Sequence, residues 1–144
     1  MRQVLLAISL LLAGCGGPAA PSSAPITTAA EARAALQAAP HPDPQVELQR
    51  MTQAKAALDQ ERAAKLAEVE QVERAFEATR VTNELSGAAE PDAQRSAAEA
   101  GVEAKLETLR RHVTERLEPD LAKVDQRLAA AAARLKMQTE QPAP

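Results

Sequence analysis

Large apolar residues recur along this chain at helical spacing and almost nowhere alternate as they would in a strand. From residue 44 onward, Leu48, Met51, Leu58, Val69, Val72 and Phe76 fall on one heptad seam, with Lys55, Arg62 and Lys65 set into it. A second series, Val102, Leu106, Leu109 and Val113, steps by four and three. Leu117, Leu121, Val124, Leu128, Ala131 and Leu135 resume that series with one extra residue inserted. Pro119 coincides with the skip, and its missing N–H and bulky ring bend a helix. Asp43-Pro44 supplies an N-cap and a favoured first helical residue, and Gly87 after Ser86 is a stop signal. Ser96-Ala-Ala-Glu99 has the form of a capping box, and Pro91-Asp92 offers an earlier start. The pattern predicts a helix over 44–86, a turn over 87–95 and a helix over 96–139, kinked near Pro119.

The two seams constrain each other. Residues that face across an antiparallel pair have position numbers with a constant sum. Phe76 with Leu109 and Val72 with Val113 share one such sum. Beyond the skip, Val69 with Leu117, Leu58 with Leu128 and Met51 with Leu135 share a sum one unit larger, as one inserted residue requires. The expectation is an antiparallel, coiled-coil-like hairpin over 44–139. In this register Lys65 faces Asp120 and Leu121, and Arg62 faces Val124. Glu73–Arg110, Arg80–Glu103 and Glu61–Arg127 flank the seam with opposite charges, while Asp59–Asp125 is a like-charge pair. Charged seam residues fix register at a cost in stability, and their stems allow the heads to stay wet.

Upstream, Thr28-Ala-Ala-Glu31 forms a capping box and starts a short alanine-rich helix over 29–39, halted by Pro40. Its only large apolar residue is Leu36. Eleven or so residues is marginal for a helix alone, so weak docking is expected. Residues 15–28 open with a Gly/Pro/Ser-rich run that reads as a flexible tether, and 140–144 reads as a frayed tail. The expected fold class is all-α: a two-helix hairpin preceded by a short helix, with a disordered tether and tail.

Composition narrows this further. The 144 residues include 34 alanines, one Phe and neither Tyr nor Trp. After residue 15, Leu, Ile, Val and Phe number 20 of 129, below the roughly 20% that a substantial core needs. That excludes most layered α/β and β architectures. Between residues 44 and 139, Ala, Glu, Lys, Leu and Arg fill 59 of 96 positions, a share typical of long helices.

The N-terminus has a different character. Met1-Arg2-Gln3 precedes an apolar run from Val4 to Ala13, the layout of an export signal over residues 1–14. The run is far shorter than the roughly 20 residues that span a bilayer. Leu12-Ala13-Gly14-Cys15 resembles the lipobox of bacterial lipoproteins, and Cys15 is the chain's single cysteine. The resemblance implies cleavage before Cys15, a diacylglycerol on its sulfur and an acyl chain on its new amine. Two or three acyl chains anchor stably where one does not. Gly16 at the sorting position implies transfer to the outer membrane in a Gram-negative cell. Otherwise the anchor implies the outer face of the plasma membrane. A single cysteine leaves no internal disulfide to form.

Catalytic chemistry finds little purchase. His41 lies between prolines and His112 on a charged helical stretch, and neither has a metal-ligand neighbour at useful spacing; both read as solvated surface residues. Glu70/Glu73 and Glu103/Glu107 read as polar helix faces, not acid–base pairs. No glycine-rich phosphate loop is present. Arg110-Arg111 in a chain of net charge −3, without aromatics for stacking, argues against nucleic-acid binding. The reading is non-enzymatic, with no metal, cofactor or small-molecule substrate. The expected partners are membrane lipid, through Cys15, and either another envelope protein or a second copy, through the hairpin.

Two alternatives share the anchor. The murein lipoprotein is also an alanine-rich anchored helix, but this chain has two long helices and ends Gln141-Pro-Ala-Pro144 without that family's C-terminal lysine. A non-covalent wall spacer therefore fits better than covalent attachment. Pilotin-like or entry-exclusion lipoproteins of secretion and conjugation systems are similar in size and anchor only.

Overall fold

The computed structural model describes residues 24–86 and 92–140, and these are helical apart from the segments around α1. The signal segment, Cys15, Gly16, most of the tether, residues 87–91 of the turn and the tail from Gln141 lie outside the described residues. Helix α1 spans Ala29–Gln37, α2 spans Pro44–Ser86, α3 spans Asp92–His112 and α4 spans Glu118–Glu140. Between α3 and α4, Val113–Leu117 forms a π-helical turn.

The helix boundaries follow from local chemistry. The Thr28 hydroxyl accepts the Glu31 N–H at 3.3 Å, and the Glu31 carboxylate accepts the Thr28 N–H at 2.9 Å. This is the expected capping box, closed in both directions. Helix α1 ends before Pro40, whose ring disfavours helical backbone at the preceding residue. Helix α2 starts as its sequence dictates: the Asp43 carboxylate accepts the Gln45 N–H at 2.8 Å, with Pro44 in the first turn. Helix α3 begins at Asp92, the earlier of the two starts, so Ser96 lies inside the helix rather than at its cap.

The inserted residue in the second seam is accommodated by the π-turn. A π-turn carries one residue more than an α-turn while leaving the flanking faces in phase. Here the Glu118 N–H donates to the Val113 carbonyl, five residues back. The widened turn places Val113 and Leu117 both in the core. It lies just before Pro119, which lacks an N–H and crowds the carbonyl four residues earlier. The extra residue expected at Pro119 is taken up one turn upstream.

The second seam buries Leu109, Val113, Leu117, Val124 and Ala131, and the first buries Met51, Leu58 and Val69. Several ion pairs differ from the expected ones along the lower half. Arg127 pairs with Glu47 rather than Glu61, and Arg62 with Glu118 at 3.9 Å. Lys65 pairs with Glu68 on its own helix at 2.9 Å, and Asp120 is engaged by Arg33 at 3.0 Å. Arg80 pairs with Glu77 at 2.8 Å on its own helix, and the expected Glu73–Arg110 pair forms at 2.7 Å. Asp125, expected to repel Asp59, is engaged by Lys55 at 2.6 Å.

Helix α1 packs into this lower half. Ala32 and Ala35 are buried, and they join Met51, Ala54, Ala57, Leu58, Val113, Leu117 and Val124 in one cluster. Alanines on α1 and α2 let the two backbones approach closely, which a count of large apolar residues does not register. Ile26 and Leu36 pack against the same cluster, and the Ile26 N–H donates to Gln53 Oε1 at 3.0 Å. The expected weak docking of α1 and the expected tether as far as residue 28 are both corrected: the fold starts at about Ile26. Hydrophobic burial and a polar clamp together hold α1. The result is a three-helix bundle at the base and a two-helix hairpin at the tip.

Candidate functional site

Three regions bring polar chemistry and shape together. The first is the clamp at the base. Glu47 projects from the first turn of α2 and is almost wholly buried, at 1% exposure. One of its oxygens accepts Arg127 Nε at 2.8 Å, and the other accepts the His41 N–H at 2.9 Å. Arg127 Nη1 donates to the carbonyls of Ala35, Leu36 and Ala38 at 2.9, 3.3 and 3.1 Å. A cation thus caps the C-terminal carbonyls of α1, where the helix leaves unpaired acceptors and a partial negative charge. Arg134 extends the clamp by donating to the carbonyls of His41 and Pro42.

A second polar cluster sits where α1, α2, α3 and α4 meet beside the π-turn. Arg33 Nη2 reaches Glu61 at 2.9 Å and its Nε reaches Asp120 at 3.0 Å. His112 Nε2 lies 3.0 Å from the other Glu61 oxygen and is half-buried. His112 is therefore an interior contact rather than the solvated histidine expected, and His41 is likewise half-buried within its loop. Both clusters tie α1 to the long helices, and the second lines a cavity of about 310 Å³ bounded by Arg33, Leu36, Pro119 and Asp120.

The tip is different. Between the last third of α2 and the first half of α3 the helices enclose a groove of about 560 Å³. Val72, Phe76 and Val102 form its floor with Ala75 and Ala98. These large side chains sit on the two seams but are only half-buried, unlike Met51, Leu58 and Leu117 lower down. The single Phe of the chain lies here. Arg80, Arg95 and Lys105 stand along the rim, with Glu99 as the acidic residue among the lining groups. The base groove is filled by α1, and no described residue fills the one at the tip.

Chemically the groove combines an apolar floor with a charged rim, and Thr79 and Glu99 are among its lining residues. Among the described residues no group of three or more His, Cys, Asp or Glu is placed to hold a metal ion. Among them, too, no helix is long and apolar enough to cross a membrane. Sequence reasoning placed Val72, Phe76 and Val102 on the seams, with Phe76 facing Leu109 and Val72 facing Val113. The signal for an open groove was the absence of a third helical face opposite them. The expected site residues Leu12, Ala13, Gly14, Cys15 and Gly16 lie outside the described residues. No protein-family model, curated protein or solved structure matches the chain.

Proposed function

We propose that this chain is a bacterial envelope lipoprotein, anchored by lipid on Cys15, whose helical rod acts as a non-enzymatic scaffold or binding module for another envelope protein. The anchor rests on Leu12-Ala13-Gly14-Cys15 following a short apolar run. Gly16 supports outer-membrane sorting in a Gram-negative cell. The observation that carries the binding role is the unequal closure of the hairpin. At the base, α1 covers the seam; at the tip, Val72, Phe76 and Val102 are only partly buried and line a groove that no described residue fills. Exposed apolar surface costs free energy in water, and a surface of this kind rimmed by charges suits a protein interface.

The experiment has two readouts. In cells, palmitate labels the wild-type chain and a Cys15→Ser chain remains an unlabelled precursor; labelling and normal processing of that variant would refute the anchor. Photo-crosslinkers placed over exposed positions of the rod should capture another protein in the intact envelope. Failure to crosslink from every position would refute the binding role.

A further inference from the structure

We propose that α1 is a releasable strap. It lifts off the rod as one unit, pivoting between Ala38 and His41, while α2, α3 and α4 stay folded; this goes beyond the binding-module reading and does not depend on it. The pivot is visible in the backbone. Ala38 leaves α1 in extended geometry, at φ −70° and ψ 153°. Pro40, Pro42 and Pro44 follow, without the N–H groups that would carry the helix onward. The connector is fixed to the rod without help from α1. The Glu47 carboxylate accepts the His41 N–H at 2.9 Å, and Arg134 donates to the His41 and Pro42 carbonyls. The chain enters α1 from the end opposite this pivot, so a pull from upstream loads the strap first.

The charge pairing of the rod permits this release. Arg33 of α1 is held by Glu61 at 2.9 Å and by Asp120 at 3.0 Å. Each of those carboxylates has a second partner on the rod. His112 lies 3.0 Å from the other Glu61 oxygen, and Lys123 lies 3.5 Å from the other Asp120 oxygen. Arg127 behaves alike, since it keeps Glu47 when the α1 carbonyls leave it. Detachment therefore strands no charge on the rod and avoids the penalty of an unpaired buried ion. Arg33, whose side chain is already 31% exposed, passes into water. The apolar hold is thin as well: Ala32 and Ala35 are the buried residues of α1, and each removes little more than one methyl group from water. They share a cluster with Met51, Leu58 and Val124, which are wholly buried while α1 is seated. Opening extends the uncovered seam of the tip into the base.

Hydrogen exchange on the full-length chain, isolated as cells produce it, tests this. Amides 32–38 should exchange through one shared opening, populated at least about tenfold more than the opening that exposes amides 54–61 of α2. Arg33→Met removes the ion pairs of the strap alone. It should raise the α1 opening about fivefold. Amides 54–61 should stay within about twofold of wild type, because His112 and Lys123 keep Glu61 and Asp120 paired. Exchange of both segments through one common opening would overturn the assignment. So would a graded release from the ends of α1, or an Arg33→Met variant that speeds both segments equally. Photo-crosslinking from the rod to another protein is read separately, so failure here leaves the binding-module reading standing.

Discussion

Replacing Arg127 with Met tests the clamp at the base. The variant keeps most of the side chain's length and removes the charge opposite Glu47, whose side chain is 2% exposed while that of Arg127 is 16% exposed. Breaking a buried pair on one side leaves the other charge unsolvated and costs about 3–5 kcal/mol. The partial exposure of Arg127 and the surviving bond from the His41 N–H place the expected loss near the lower end, about 3 kcal/mol. For a helical unit of this size that lowers Tm by about 12–15 °C. Urea and thermal unfolding followed at 222 nm measure it. The carbonyls of Ala35, Leu36 and Ala38 also lose their donor, so hydrogen exchange in α1 should accelerate more than in the centre of α2. A second variant, Glu47→Leu with Arg127→Met, removes both charges and should recover to within about 1.5 kcal/mol of wild type, since an apolar pair often replaces a buried ionic one without loss. A loss below about 1 kcal/mol in the single variant would refute the reasoning. So would a double variant as unstable as the single one.

Other expectations follow from the same contacts. Thr28→Ala should cost about 1 kcal/mol by removing the cap of α1, read as faster exchange of the Ala29–Gln37 amides. Backbone N–H bonds from Thr27 and Thr28, then their hydroxyls, lower the Glu31 pKa from 4.5 to about 2. Because the folded value is the lower one, the cap's contribution is present above the unfolded value and is lost as pH falls from about 4.5 toward 2. An NMR titration of Glu31 giving an ordinary carboxylate value would contradict this. Ala32→Leu should destabilise by about 1–3 kcal/mol through overpacking a fully buried site, measured by urea unfolding. Deleting Glu115 together with Pro119→Ala should convert the π-turn to α-helix and leave both seams in phase, with a cooperative melt retained. Deleting Ala122 with the same proline change should abolish cooperativity by rotating Val124 and Ala131 out of the core.

Much of the fold was legible in the periodicity. The capping box at Thr28, the start at Asp43-Pro44 and the extra residue near Pro119 rest on local rules of hydrogen bonding and sterics. Those rules act over four or five residues, so the sequence displays them directly. The ion pairs were less legible. The constant-sum argument treats the hairpin as two helices facing only each other, and α1 enters the lower half with Arg33 bridging Glu61 and Asp120. Lys65 pairs with Glu68, and Arg127 pairs with the buried Glu47. The contribution of α1 escaped notice because its buried residues are alanines, whose packing depends on how closely two backbones approach. The tip groove was hidden for the complementary reason: Phe76 and Val102 have the spacing of closed core positions, and openness is a property of the helices' separation.

The claim that this rod works by presenting its uncovered tip to another protein is tested most directly by a photoreactive amino acid at position 76, irradiated in cells that make the full-length chain. The account predicts a discrete adduct with a second protein. Adducts only within the chain or with another copy of it, or none at all, would contradict it.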